Sequence, residues 1–192
     1  MRPARTASSD TRARILEAAR RIIVERGYPA ATCQGIARAA GVSRPTLHYY
    51  FASREEIYDC LVEQSRNLLA ECAERAMRYD TLVERLTEFG LRLREVDSRD
   101  RSTIAFLISA RLEGMRNREL GEDPAMALRE FFIELLADAV AAGELPSDID
   151  IESAVEVMYT VLWGLGFYTG FVERSTDMLV LAEQLENLFA SA

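Results

Sequence analysis

The sequence predicts an all-α fold of about nine helices, and three observations carry that prediction. Apolar residues recur at three- and four-residue spacing along almost the whole chain, whereas the strict alternation of a half-buried strand never persists. Glycine, proline and small polar capping residues punctuate those runs where helices start and stop. At 192 residues and 49% hydrophobic composition, the chain can bury a sizeable core.

A first helix follows the capping residues Ser9-Asp10-Thr11, after a flexible arm over residues 1–9. It carries Ile15, Ala18, Ala19, Ile22 and Ile23 on one face and ends at Gly27. Thr32 caps a short second helix with Ile36, Ala37 and Ala40 as its apolar face. Gly35 inside it costs about 1 kcal/mol relative to alanine, so a close approach is expected there. Gly41 stops this helix, Val42 plugs the turn, and Ser43 caps a third helix that tolerates Pro45 in its first turn. Leu47 and Phe51 point inward from it. Ser53-Arg54-Glu55-Glu56 is a capping box that opens a long fourth helix running towards Met77. Further helices are expected over 81–96, 103–115, 124–142, 150–172 and 176–190, with Asp123-Pro124 marking one start and Gly143 with Pro146 one stop.

Composition excludes several classes. The start Met1-Arg2-Pro3-Ala4-Arg5 has no apolar signal-peptide core. The longest uncharged stretch, 157–172, falls short of the roughly 20 apolar residues of a membrane span. The expectation is a soluble cytoplasmic protein with no membrane partner. Cys33, Cys60 and Cys72 have neither CxxC spacing nor histidine company, so free thiols are expected rather than a zinc site or disulfides, with a redox sensor as the alternative. No metal, cofactor or catalytic triad is indicated, and His48 lacks a nucleophile or carboxylate at a useful spacing.

The net charge of −8 argues against a nucleic-acid partner until its distribution is read. Residues 1–56 hold ten arginines against five acids, a balance of +5, so the remainder carries −13. A basic head on an acidic body confines phosphate attraction to one end. Every basic residue is arginine, whose planar fork suits phosphates and guanine edges.

Within that head, two short helices flank a glycine-centred turn, the arrangement of a helix-turn-helix whose later helix enters the major groove. The chain thus reads as an N-terminal three-helix helix-turn-helix head over 10–56, joined through the fourth helix to a helical body over 57–192. Arg44, Thr46, His48, Tyr49 and Tyr50 would face base edges and phosphates. Thr32 and Ser43, at helix starts, and Arg54, opening the fourth helix, would hold phosphates. Alternatively, the tyrosines are core aromatics, His48 is an idle surface group, and Arg20, Arg21 and Arg26 lie on a solvated face.

The runs Thr11–Ala19, Gly27-Tyr28, Ala31-Thr32, Ile36-Ala37, Ala40–Phe51 and Ser53-Arg54-Glu55 resemble the TetR/AcrR family of transcriptional regulators. The resemblance covers about residues 11–62. It implies a homodimer on a near-palindromic DNA operator, usually a repressor released by a small-molecule effector. It also implies DNA contacts from Thr32, Ser43, Arg44, Thr46, His48, Tyr49, Tyr50 and Arg54. His48 stands where tyrosine is frequent in the family, and Gly35 replaces a polar helical residue. An activator of the same fold, a helical interaction module without DNA binding, and a small helical enzyme are the rival readings.

In the body, the helix over 150–172 is apolar nearly all round, and the helix over 124–142 carries the stripe Leu128, Phe131, Phe132, Leu135, Leu136 and Ala139. Two such helices from each of two chains would make a four-helix dimer interface, to which Gly166-x-x-x-Gly170 would admit another backbone. The alternative is plain monomer core. A ligand pocket is expected from Met77, Phe89, Phe106, Met115, Tyr159, Trp163 and Phe167, with Glu113 or Glu156 as polar anchors, unless these are simply core. The acidity of the body favours a cationic effector or merely a solvated surface.

Overall fold

A computed structural model of the chain describes residues 4–117, 120 and 126–172. Among them are eight α-helices and no strand: α1 (Ala4–Arg26), α2 (Cys33–Ala39), α3 (Arg44–Tyr50), α4 (Arg54–Ala76), α5 (Leu82–Arg99), α6 (Ser102–Arg116), α7 (Met126–Ala141) and α8 (Ile151–Phe167). A 3₁₀ turn (Tyr28–Ala30) follows α1, and a π-helical turn (Tyr168–Val172) extends α8. The helix expected over 176–190 and the Asp123-Pro124 start lie outside the described residues.

The local punctuation acts where the sequence puts it. Thr32 Oγ1 accepts from the Gly35 backbone N–H at 3.1 Å, and Ser43 Oγ accepts from Thr46 N–H at 3.1 Å. A Cβ on Gly35 would sit 3.1 Å from Thr32 Oγ1, so the glycine makes room for the capping hydroxyl. Ser53 caps α4 through Glu56 N–H, but Glu56 reaches back to the Ala52 N–H at 2.6 Å rather than to that of Ser53. A complete capping box, Thr81 with Glu84, opens α5. One expectation fails: α1 begins at Ala4, so Ser9-Asp10-Thr11 lie inside a helix instead of capping it after a flexible arm. Nothing in residues 4–8 breaks a helix, and a good cap only permits a start.

The chain divides into two units, one comprising Met1–Ser65 with Ser109–Pro124, the other Arg66–Ile108 with Ala125–Ala192. The sequence places the junction at residue 56, near the start of α4; the division falls further along the same helix, after Ser65, and part of α6 joins the first unit. The reason is packing. Ile57, Tyr58 and Leu61 of α4 are buried with Ile15, Ala19 and Ile23 of α1, Ile36 of α2, and Leu47 and Phe51. Tyr58 lies 4.8 Å from the Tyr28 ring and donates to the Ala110 carbonyl of α6 at 3.4 Å.

In the second unit α7 packs on α8 and α5. The α7 stripe is wholly consumed here, with Phe131 stacked on Phe89 at 4.9 Å and Phe132 edge-on at 6.0 Å. It therefore builds monomer core, not the outward half of a four-helix interface. The glycines of α8 admit α6 of the same chain: a Cβ on Gly170 would meet the Ala105 Cα at 3.4 Å, and one on Gly166 the Ile108 Cδ1 at 3.2 Å. Conversely α8 is less buried than its composition suggests, because Val157, Val161, Phe167, Tyr168 and Val172 remain exposed. Ile151–Val172 is long and apolar enough by composition to cross a membrane, which the uncharged run 157–172 alone is not.

Candidate nucleic-acid interface

The head presents α3 by anchoring its opposite side. Leu47, fully buried, and Phe51, 1% exposed, pin the helix to the core, and the Phe51 N–H closes it on the Leu47 carbonyl at 3.0 Å. Arg44 and His48, four residues apart, then share an outward face, and Tyr49 beside them is 81% exposed. Tyr50 is half-buried and meets the Tyr49 ring edge-on at 5.1 Å. Thr46 is also half-buried, its hydroxyl 2.7 Å from that of Ser43. Thr32 and Ser43 are exposed, but each hydroxyl is engaged in capping its own helix.

The turn before α3 is fixed by features of both backbone and side chain. Gly41 adopts φ +65°, which side chains with a Cβ rarely take. Arg14 of α1 donates from Nη2 to the Ala40 carbonyl at 2.5 Å, satisfying the end of α2 and placing a positive charge at its C-terminus. A Cβ on Gly41 would lie 3.1 Å from that nitrogen. Sequence periodicity gives no sign of Arg14, because an exposed arginine on α1 looks like any solvated residue. Arg12 is likewise engaged, its guanidinium 5.0 Å from the Phe51 ring centroid and its Nη2 donating to Cys60 Sγ at 3.2 Å.

Arg54 is held within the head as well. It lies over the Tyr28 ring at 4.7 Å and donates from Nε to Glu55 at 2.8 Å. That bond, with backbone hydrogen bonding, draws the Glu55 carboxyl down from 4.5 to about 2. Arg54 thus braces the start of α4 against the turn after α1.

Residues 15–60 match the family model described as bacterial regulatory proteins, tetR family. The head thus carries a tetR-family domain. The chain is 27% identical over 172 residues to the HTH-type transcriptional regulator UidR of Escherichia coli K12, covering 83% of this chain and 82% of that one. It is 28% identical over 193 residues to the HTH-type transcriptional repressor BepR of Brucella suis biovar 1, covering 94% and 90%. Its fold matches the fatty acid degradation regulator FadR of Bacillus halodurans with a TM-score of 0.77 at 19% identity, over 93% of each chain. The Bacillus subtilis FadR complex with stearoyl-CoA gives 0.75 at 18%, over 92% of this chain and 96% of that one. The family is DNA-binding and regulatory, and its members act as dimers with small-molecule effectors.

The expected pocket residues of the regulator do not converge. Met115 is 73% exposed and Glu113 sits beside Gly27 and Arg116, both in the first unit. Phe167 is exposed and stacks on Phe171, while Glu156 pairs with Arg129 at 2.9 Å on the surface. Phe89 and Phe106 are buried core, Met77 borders a separate open groove, and Tyr159 packs edge-on against Trp163. Of the expected set, Trp163 alone lines the apolar cavity of the second unit, with Leu69, Leu93, Leu107, Leu128 and Gly166 among its other walls. Residue type finds bulky apolar side chains but not which of them face a void. The aliphatic residues are indistinguishable from core in sequence.

Proposed function

We propose that the regulator is a sequence-specific repressor that binds a palindromic operator as a homodimer and is released by a small-molecule effector held in its second unit. The observation that supports this reading best is the outward face of α3, where Arg44, His48 and Tyr49 are exposed above a buried Leu47. Arg44 supplies a bidentate donor for a guanine edge, Tyr49 an aromatic surface and phenol, and His48 a further groove contact. Ser43, Thr46, Thr32 and Tyr50 lie on the rim and meet phosphates, with Arg54 acting chiefly by holding Tyr28 and Glu55 in place. Two reading helices about 34 Å apart would span successive turns of one DNA face.

The exposed apolar face of α8 is what a second copy would cover, flanked by the exposed Met126 and Ile133 of α7. This accounts for the membrane-like composition of Ile151–Val172 within a cytoplasmic protein. The repressor sense is supported by the likeness to BepR, and effector control by the neighbouring fold's complex with stearoyl-CoA. An effector moves the equilibrium only by preferring the conformer that spaces the two heads wrongly, and about 5.5 kcal/mol takes it from 1:99 to 99:1.

Operator selection from genomic fragments with purified protein tests the reading, followed by the same selection with metabolite pools. A recovered palindrome whose affinity falls steeply between about 50 and 200 mM salt is the expected result. Failure to hold any duplex at low ionic strength would exclude it.

A further inference from the structure

We infer that the open groove between the end of α4 and the start of α7 is a docking site for a basic amphipathic helix of a partner protein, a reading independent of the DNA-binding one. Its floor is apolar, made by the half-buried Ala70, Ala73 and Met77 on one side and Ala127 on the other. Glu74, Glu130 and Glu134 stand exposed along its two edges, and among the described residues that line it Arg78 alone is basic. Ionised groups elsewhere in this unit are matched: Arg92 with Glu88 and Glu95, Arg85 with Asp138, Arg129 with Glu156. The three edge carboxylates, by contrast, make no ion pair or side-chain hydrogen bond among the described residues. Glu130 and Glu134 lie four residues apart on α7, a spacing at which like charges repel. Cations laid against the edges would relieve that repulsion, and apolar groups between them would cover the floor.

The shape selects a helix. The walls run from Ala70 to Met77 and from Ala127 to Glu134, each about two helical turns or ~10 Å long. Three of the four floor residues are alanines, so a third helix can settle at the usual separation of roughly 8–10 Å between axes. An open groove covers too little of a small molecule to hold it, whereas a docked helix needs only one face covered. Apolar residues three and four apart on that helix meet the floor, and lysines or arginines beside them meet Glu74 at one edge and Glu130 and Glu134 at the other. Arg129, turned the other way on α7, pairs with Glu156 of α8. The groove is therefore separate from the α8 face proposed for a second copy.

The probe is a labelled synthetic helix of about four turns, with leucine at positions three and four apart and lysine elsewhere, titrated into the full-length protein by fluorescence anisotropy. It is expected to bind, and to bind roughly tenfold or more weakly to Glu130→Gln/Glu134→Gln and to Ala127→Gln, which lays a polar chain across the floor. Glutamine is a good helix former, so both variants should keep the thermal midpoint and operator affinity of the parent. Asp148→Asn/Glu152→Gln removes the same charge from exposed sites outside the groove and should leave the peptide's affinity unchanged. Spermine, a helix with glutamine for leucine and a helix with glutamate for lysine should each bind far more weakly. The inference is overturned if the leucine–lysine helix does not bind, if any of those three controls matches it, or if the groove variants bind it as the parent does. A groove variant with an altered subunit number in sedimentation would make a second copy the occupant and overturn it as well. Operator affinity is measured on the same samples, so a protein that ignores DNA refutes the repressor reading without touching this one.

Discussion

Arg44 and Arg54 are both arginines of the head, yet their surroundings assign them different work. Arg44 is exposed on α3 with no side-chain bond drawing it back among the described contacts. Arg54 is stacked on Tyr28 and bonded to Glu55. Arg44→Ala should therefore lose about 1–3 kcal/mol of discrimination at one operator base pair while leaving the thermal midpoint near its original value. Arg54→Ala should instead lower the midpoint and weaken all duplexes alike; competition binding on operator and random DNA, with thermal melts, separates the two. The Glu55 carboxyl, held at about 2 against 4.5 when free, contributes stability that is fully present above about 4.5 and is lost as pH falls through about 2. Glu55 is exposed, so the effect is small, and Glu55→Gln should flatten that part of an acid-melting profile. The thiols divide similarly. Cys72 is buried and its thiol is pushed up to about 11 by desolvation, so it should alkylate more slowly at neutral pH than the half-buried Cys33 and Cys60, as counted by mass spectrometry.

At the scale of the element, the proposed reading rests on the short α2–α3 turn. Its sequence signals are local and therefore readable: Thr32 and Ser43 as caps, Gly41 as the left-handed residue, Leu47 and Phe51 as anchors. The two caps and the glycine act within four residues of themselves, and the anchors are readable from their four-residue spacing on one face of α3. Arg14 is not readable in this way, since its partner carbonyl lies twenty-six residues away on another helix. Gly41→Ala should cost about 1–2 kcal/mol from the backbone alone and more from displacing Arg14. Arg14→Ala should lower operator affinity and allow the end of α2 to exchange faster, which amide hydrogen exchange on residues 37–42 would resolve. Helix starts such as Ser9-Asp10-Thr11 mislead for the converse reason: a capping residue is favourable at a terminus but does not forbid helix on its N-terminal side.

At the scale of the whole molecule, the charge asymmetry and the exposed face of α8 belong together. On the proposed reading the basic head binds phosphate without specificity, and the pairing of two heads would supply the length of site that specificity requires. Val161→Glu places a charge in the middle of the exposed apolar face. It should convert the protein to a monomer in sedimentation and abolish tight binding to the full palindrome, with little effect on the fold of each chain.

By itself, the sequence determined the caps at Thr32 and Ser43, the helix-turn-helix they frame and the placement of positive charge along the chain, because these depend on neighbours within a turn or two. Tertiary structure alone decided which apolar residues are core, which line a void and which stay outside. The stripe of α7 and the bare face of α8 are both apolar in sequence, yet one is buried against Phe89 and the other is left open. Periodicity says that an apolar face must be covered; what covers it depends on residues distant in the chain.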